Sequence, residues 1–250
     1  MSAPERAGEL AANLTALRAR IDAAARAAGR APGDVTLVAV SKTFPATDVA
    51  HLLDLGVTDF GENRDQEAAS KAAQISRLAP GHLVRWHFVG QIQRNKALSV
   101  ASYADVVHSV DRVELADALG RAAARTGRRL GALVQVNLDE LDGRGPDAAG
   151  EARGGVRPRN VVALAEHVAA TTGLRLAGVM ALGPLGGDPG AAFARLAVLA
   201  EGVRGVAADA VAISAGMSAD LETAIGHGAT YVRVGAALFG DRALMSDHVR

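Results

Sequence analysis

The sequence predicts an α/β protein in which eight parallel strands close into a single (β/α)₈ barrel of the TIM type, preceded by an extra N-terminal helix. Short apolar segments rich in β-branched residues alternate without a break with segments of helical spacing. This alternation predicts parallel strands joined by right-handed crossovers. The length of 250 residues suits one such barrel. Eight units favour closure, and an open doubly wound sheet stays an alternative.

The elements follow one another in a regular order. A helix is predicted over residues 5–28, ending before Gly29 and the pair Pro32-Gly33. The strands are predicted at residues 35–40, 58–60, 84–89, 105–110, 132–138, 176–182, 210–214 and 231–234. The helices between them are predicted from Thr47 or Asp48 to about 55, after 63 to about 78, and at 95–102, 113–126, 161–171, 191–203 and 219–225.

The chain shows neither an internal repeat nor an interdomain linker, so residues 1–250 are predicted to form one domain. Two stretches rich in Gly and Pro, at 139–158 and 183–190, lack periodicity and are predicted to be flexible inserts. Each follows a predicted strand. In a barrel both would lie at the C-terminal rim, where the active sites of this fold are built.

The composition argues against several classes of function. The 27 basic residues balance 27 acidic ones, which predicts no dominant surface for nucleic acid or an anionic membrane. There is no cysteine, and no metal-binding motif is found. The first residues lack the apolar core of a signal peptide, and no apolar run approaches the roughly 20 residues that span a bilayer. We therefore expect a cytoplasmic protein, and a monomer because no interface element beyond the barrel is visible.

The chain has only three lysines, Lys42, Lys71 and Lys96. Lysine forms imines with aldehydes and arginine does not, so each lysine is a candidate for covalent chemistry. Lys42 is the strongest, since it lies two residues beyond the first predicted strand, at the mouth of a barrel. The alternative is a lysine that extends from a strand end into water. Lys71 is predicted to be exposed on a polar helix, and Lys96 to cap or pair near the third strand.

Two turns of small residues follow the seventh and eighth strands. Barrels often bind phosphate between these two loops, through backbone N–H groups and a helix N-terminus. The candidate residues are Ser214, Gly216, Ser218, Gly235 and Ala236. Because the first and eighth strands are neighbours in a closed barrel, Lys42 and this phosphate site would face one ligand. A ligand carrying both an aldehyde and a phosphate satisfies both features.

Other polar residues lie near strand ends. Arg233 is predicted to bind the phosphate, to reach a pyridine ring nitrogen, or to form a salt bridge with a carboxylate. Glu62 and Asn63 fall at the rim and are candidates for ligand contacts, whereas His87 is more typical of a hydrogen-bonded core residue. No Ser-His-Asp spacing, phosphate-binding P-loop or dinucleotide fingerprint is present, so no catalytic residue is assigned.

Six segments resemble the pyridoxal phosphate homeostasis protein family in order and spacing. They are VAVSKT at 38–43, FGENR at 60–64, WHFVGQIQRNK at 86–96, GVM at 178–180, SAGMS at 214–218 and VRVG at 232–235. The resemblance extends from about residue 5 to 242. It implies a single barrel like the N-terminal domain of alanine racemase, with pyridoxal 5′-phosphate (PLP) as its cofactor.

The resemblance also implies roles for individual residues. The lysine that forms a Schiff base with PLP maps onto Lys42, and the arginine facing the pyridine nitrogen maps onto Arg233. The phosphate-binding segments map onto Ser214, Gly216, Ser218, Gly235 and Ala236. The family usually has Thr in place of Ala236, so we expect somewhat weaker phosphate binding here.

The function that the resemblance implies is PLP binding and buffering, with PLP-requiring apo-enzymes as recipients and no assigned turnover. One alternative is a PLP-dependent amino-acid racemase, which needs a second acid/base opposite Lys42; in alanine racemase this is a tyrosine from the partner subunit. The chain has only Tyr103 and Tyr231, and neither lies in a segment resembling that site. Another alternative is a Schiff-base aldolase acting on a phosphosugar.

Overall fold

The structure is a closed barrel of eight parallel strands arranged in sequence order. This computed structural model describes residues 3–139, 154–184 and 187–240. The strands are β1 (Thr36–Val40), β2 (Asp59–Glu62), β3 (Arg85–Phe88), β4 (Val106–Val110), β5 (Leu130–Gln135), β6 (Leu174–Met180), β7 (Ala212–Ser214) and β8 (Tyr231–Val234). The predicted barrel is confirmed, and the alternative of an open sheet is wrong.

Helices alternate with these strands and form the outer layer. They are α1 (Ala3–Ala27), α2 (Ala46–Asp54), α3 (Asp65–Leu78), α4 (Ala97–Tyr103), α5 (Val113–Thr126), α6 (Val161–Ala170), α7 (Pro189–Val206), α8 (Leu221–Gly226) and α9 (Ala236–Phe239). The helices bury an apolar face against the strands. In α5, for example, Leu115, Leu119 and Ala122 repeat at helical spacing and are buried.

The extra N-terminal helix α1 packs on α2, α8 and α9. One of its faces is apolar and buried, because Leu10, Leu14, Leu17 and Ile21 recur three or four residues apart. Polar contacts fix its ends. Arg6 lies 2.7 Å from the buried carboxylate of Asp48 on α2. Helix α2 begins at Ala46 after Pro45, so the predicted start at Thr47 or Asp48 is wrong.

Several element boundaries differ from those predicted. Strands β5 and β6 each start two residues earlier and end earlier, because Leu130 and Leu174 already pair with each other in the sheet. Strand β2 continues beyond residue 60 to Glu62, which pairs with Phe88 of β3. The carboxylate of Glu62 is therefore buried within a strand, which the sequence did not predict.

The barrel interior contains an apolar cluster and a set of buried polar side chains. The apolar cluster consists of Val106, Leu133, Ala177, Met180 and Ala212, with Tyr231 packed against it. The buried polar side chains that hydrogen-bond across the interior are Asp59, His87, His108, Ser214 and Arg233. Branched apolar residues usually fill the interior of such barrels, so this row of buried polar side chains is unusual.

Pairing between β1 and β8 closes the barrel and joins the two ends of the chain. The register places Ala39 opposite Val234, so Val40 and Gly235 are neighbours at the C-terminal rim. Beyond the strands, the rings of Phe44 and Phe239 stack with centroids 4.7 Å apart. The segment after β1 is therefore held against α9.

The predicted inserts are only partly described. Residues 140–153 of the first insert and 185–186 of the second lie outside the described ranges. At their edges, Val156 forms a bridge with Val136, and Pro158–Asn160 forms a 3₁₀ helix leading into α6. Pro189 and Gly190, predicted as loop, begin α7, where the carboxylate of Asp188 accepts hydrogen bonds from two amides of the first turn. None of the described helices has the length and apolar character needed to cross a bilayer.

Candidate functional site

Lys42 lies in the turn that follows β1, at the C-terminal rim of the barrel. Its side chain is partly buried, and within the described ranges its ammonium group has no hydrogen-bond or ion-pair partner. The other two lysines both lie near carboxylates: Lys71 is 2.6 Å from Glu62, and Lys96 is 3.8 Å from Asp65. The amine of Lys42 is thus the one lysine nitrogen without a counter-ion in the described structure.

Hydrogen bonds hold the backbone around Lys42 in one conformation. The next residue, Thr43, has φ of 69°, in the left-handed region that residues other than glycine rarely adopt. Its amide donates a hydrogen bond to the carboxylate of Glu67 on α3. The amide of Phe44 donates to the carbonyl of Ser41 at 3.0 Å. A strained residue held by several contacts is a recurrent feature of ligand sites, where it fixes a side chain in a required direction.

Lys71 is buried beneath this turn, so the prediction that it is exposed is wrong. Its ammonium donates to the carbonyl of Ser41 at 2.7 Å and to Glu62 at 2.6 Å, and it lies 3.2 Å from Glu67. The hydroxyl of Ser41 also donates to Glu62, at 2.7 Å. The cluster of Ser41, Glu62, Glu67 and Lys71, here called the turn clamp, therefore ties the residue before Lys42 to β2 and α3.

The electrostatics of the turn clamp depend on its burial. Burial raises the pKa of Glu62, and the nearby ammonium of Lys71 opposes that rise. One carboxylate oxygen of Glu62, Oε2, has no hydrogen-bond partner. Glu62 is fully buried in β2. The prediction that it lies on the open rim is wrong. The signal for Lys71 was its spacing: Ala68, Lys71 and Ile75 lie on one face of α3, and all three are buried.

The turns after β7 and β8 expose backbone donors. The amides of Gly216, Ser218, Gly235 and Ala236 have no hydrogen-bond partner among the described residues. Gly216 has φ of 89°, and an added Cβ would lie 2.7 Å from the Cβ of Ala224, so glycine is required there. Unpaired amides from two adjacent turns suit an anion with several acceptor oxygens.

The two hydroxyls predicted to face a phosphate differ in their surroundings. Ser214 is fully buried inside the barrel, where its Oγ lies 2.9 Å from Nδ1 of His108 and 2.6 Å from Nη1 of Arg233. The Ser218 hydroxyl accepts a hydrogen bond from the amide of Ala237 at 3.3 Å. The Ser214 side chain thus contacts Arg233 and does not point to the rim, because every second residue of a strand faces inward.

Arg233 lies inside the barrel near its C-terminal end and is 4 % exposed. It donates to Ser214 and, through Nη2, to the carbonyl of Ala181 at 2.9 Å. No carboxylate of the described residues lies within ion-pair distance, so the predicted alternative of a salt bridge is not seen there. Burial lowers the pKa of Arg233 to about 10.

His87 is a hydrogen-bonded interior residue, in agreement with its expected character. Its Nε2 lies 2.8 Å from Asp59, and its Nδ1 lies 2.8 Å from Nε2 of His108. Burial, followed by the proximity of His87 and Arg233, lowers the pKa of His108 well below its usual value. The sequence analysis did not identify His108 or Asp59 as interior polar residues. Side chains alternate between the two faces of a strand, and this alternation along β4 directs His108 into the barrel.

Asn63 follows β2 at the rim and is partly buried. It lines a cavity of about 430 Å³ together with Phe88, Gln91 and Lys96. The structure thus places Asn63 beside a rim cavity on the β2–β3 side of the barrel. A larger groove of about 770 Å³ lies between α4 and α5 on the outer layer and contains none of the predicted site residues.

The fold and rim site define a class of protein, the barrel of the alanine racemase type. The sequence profile described as "Alanine racemase, N-terminal domain" matches residues 12–243. The alanine racemase of Corynebacterium glutamicum superposes with a TM-score of 0.63 at 13% identity, covering 94% of this chain and 63% of that one. At this identity the likeness concerns the fold alone.

Closer relatives define the family within that class. The chain is 46% identical to a pyridoxal phosphate homeostasis protein of Mycobacterium tuberculosis, over 97% of this chain and 96% of the relative. PipY of Synechococcus elongatus, solved with PLP bound, has a TM-score of 0.76 and 31% identity, covering 92% of this chain and 100% of PipY. The chain belongs to the pyridoxal phosphate homeostasis protein family.

The turn clamp predicts a large effect of Lys71→Met on stability. The substitution leaves the carboxylate of Glu62 buried without a counter-ion, which costs about 3–5 kcal/mol in the free energy of unfolding. Urea denaturation measures this change. The double variant Glu62→Leu/Lys71→Met, which removes both charges, is expected to recover most of the loss. A single variant within about 1 kcal/mol of the parent protein would contradict the proposed charge compensation.

The burial of His108 predicts a dependence of stability on pH. In the unfolded chain His108 binds a proton below about pH 6.5, whereas in the folded protein it stays neutral there. The unfolded state then binds one more proton, so stability decreases as pH falls below 6.5, by about 1.4 kcal/mol per pH unit. Urea denaturation at several pH values between 5 and 7 should show a shallower slope in His108→Asn, with a difference that approaches this value toward pH 5. Equal slopes would contradict the prediction.

Proposed function

We propose that this protein binds PLP as a Schiff base on Lys42 and serves to hold and supply PLP within the cell. The observation that carries the proposal is the unpaired amine of Lys42, in the turn after β1. Strand β1 pairs with β8, which leads into the unpaired amides of Gly235 and Ala236. An amine and an anion-binding turn on adjacent strands suit a ligand with an aldehyde and a phosphate. Relatives named pyridoxal phosphate homeostasis protein, and the structure of PipY with PLP bound, support the same ligand.

The phosphate would be bound mainly by backbone amides. The amides of Gly216, Ser218, Gly235 and Ala236 supply four donors, and a phosphate group has enough acceptor oxygens to use them. Because the Ser214 hydroxyl is engaged by Arg233 and His108, we do not include it among the phosphate ligands. Ala236 offers its amide but no hydroxyl, so the site lacks one donor that a threonine would add.

Arg233 would face the pyridine nitrogen. When bound, PLP supplies an aldehyde that condenses with amines and a ring that withdraws electrons when its nitrogen is protonated. A guanidinium group only donates hydrogen bonds, so it favours the unprotonated nitrogen. Arg233 would thereby weaken the ring as an electron sink, which suits a protein that holds PLP more than one that transforms amino acids with it.

The racemase alternative lacks a tyrosine placed to act as the second acid/base. Tyr103 is buried on α4, with its hydroxyl 3.4 Å from Asp65, and burial raises its pKa. Tyr231 is directed into the barrel, where its ring packs against those of His87 and His108. Neither phenol is placed to exchange protons above Lys42. These are the two tyrosines of the chain.

Three further expectations from the sequence stay predictions. They are a monomeric state, a location in the cytoplasm, and transfer of PLP to apo-enzymes that require it. The balance of 27 basic and 27 acidic residues supports a protein without a nucleic-acid or membrane partner.

Borohydride reduction tests the proposed attachment. Protein incubated with PLP is expected to absorb visible light through its imine, and reduction followed by peptide mass mapping should find a pyridoxyl group on Lys42. Lys42→Ala removes the proposed attachment point and should abolish both signals, whereas Lys96→Ala should retain them. A label on Lys71 or Lys96 in the parent protein would overturn the assignment.

A further inference from the structure

A continuous line of polar side chains crosses the barrel interior and ends at Arg233. From Asp59 Oδ1 to His87 Nε2 the distance is 2.8 Å, and from His87 Nδ1 to His108 Nε2 it is again 2.8 Å. His108 Nδ1 lies 2.9 Å from the Ser214 hydroxyl, which lies 2.6 Å from Nη1 of Arg233. We call these five residues the interior relay.

Chemistry fixes the direction of the hydrogen bonds at the two ends of the interior relay. The guanidinium of Arg233 can only donate, so Ser214 Oγ accepts from it; the carboxylate of Asp59 only accepts, so His87 donates from Nε2. Between these ends, the arrangement that leaves no donor of the relay unpaired has His87 accept at Nδ1 the proton on Nε2 of His108. The remaining nitrogen of His108, Nδ1, accepts from the hydroxyl of Ser214. Each donor thus meets one acceptor, and both rings carry their proton on Nε2.

The relay is shielded from water along most of its length. Asp59, His87, His108, Ser214 and Arg233 are each at most 4 % exposed. Buried polar groups with complete hydrogen bonding hold one arrangement, because any other leaves a donor or acceptor unpaired. The relay is therefore a rigid element of the barrel interior.

Neighbouring groups stabilise the Asp59 end and the middle of the relay. At its outer end, the guanidinium of Arg85 lies 3.2 Å from Asp59, and the Thr58 hydroxyl donates to the other oxygen of Asp59 at 2.7 Å. Burial raises the pKa of Asp59, but the hydrogen bonds from His87 and Thr58 outweigh it and the pKa is lowered. The ring of Tyr231 packs against both histidines, with centroids 5.4 and 5.9 Å away.

We infer that Asp59, His87, His108 and Ser214 are positioning residues that hold Arg233 in one orientation for recognition of the ring nitrogen of PLP. This inference rests on the proposed function. Two of the five N–H donors of the guanidinium are fixed, one by Ser214 and one by the carbonyl of Ala181. The remaining donors are then presented in a fixed direction. The relay also accounts for the buried polar side chains in an interior that is usually filled by apolar residues.

Nuclear magnetic resonance of the protein without PLP tests the relay independently of any ligand. In protein labelled with ¹⁵N at histidine, long-range proton–nitrogen correlations distinguish the two neutral tautomers. His87 and His108 are both expected as the Nε2–H form at pH 7, and substitution of each histidine in turn assigns the signals. A proton on Nδ1 of either ring would overturn the proposed order.

Substitution of Ser214 tests the effect on the ligand. Ser214→Ala removes the hydroxyl between His108 and Arg233, so the absorbance of bound PLP should shift in the same direction as in Arg233→Gln, with affinity weakened roughly three- to tenfold. Ser214→Thr keeps the hydroxyl and should restore the parent spectrum. His82→Gln, at an exposed histidine outside the relay, should change neither quantity.

The outcomes separate the relay from the proposed function. If the parent protein binds no PLP, the proposed function fails, while the tautomers still decide whether the relay exists. If Arg233→Gln shifts the spectrum and Ser214→Ala does not, the function stands and the positioning role is overturned. A Ser214→Ala variant that only unfolds more easily, with an unchanged spectrum, would likewise contradict the role.

Discussion

The hydrogen-bonded pairing of the first and last strands is the constraint on which the whole site depends. Lys42 and Gly235 are separated by most of the chain, yet the register of β1 against β8 makes their strand ends neighbours. In an open sheet these two strands would not have to meet. Closure of the barrel therefore brings two weak local signals, a lysine after a strand and a small-residue turn, together at one proposed ligand site.

Buried charges hold this site in shape from two directions. Outside the barrel, the turn clamp uses Lys71 to bind the carbonyl of Ser41, which fixes the residue immediately before Lys42. Inside the barrel, hydrogen bonds from Arg233 to Ser214 and Ala181 fix the guanidinium. Burial of ions is costly unless they are paired and hydrogen-bonded, so such arrangements seldom persist for stability alone. Since Lys71 and Arg233 both lie next to the proposed ligand site, we infer that their hydrogen bonds fix the shape of that site.

The sequence was sufficient for the architecture, because alternation of apolar strands with helices is a property of long segments. The helix Val113–Thr126 and the strand Tyr231–Val234 have the predicted bounds. It was insufficient for side chains whose environment depends on distant partners. Lys71 looked exposed because its helix is polar overall, and its burial follows from Glu62, which lies on another element.

Inward-facing polar residues were equally hard to predict. Ser214 was assigned to phosphate from its position after a strand, but strand parity directs its hydroxyl to His108. That partner lies on β4, and nothing local to residue 214 indicates it. The backbone amides of the same turns could be predicted as donors, since small residues after β7 and β8 leave them accessible whatever their side chains do.

The most direct measurement is a crystal structure of the protein grown with PLP. The account predicts continuous electron density between Nζ of Lys42 and the aldehyde carbon, with phosphate oxygens about 3 Å from the amides of Gly216, Ser218, Gly235 and Ala236. A Lys42 side chain extended into solvent, with the phosphate bound away from these turns, would contradict it.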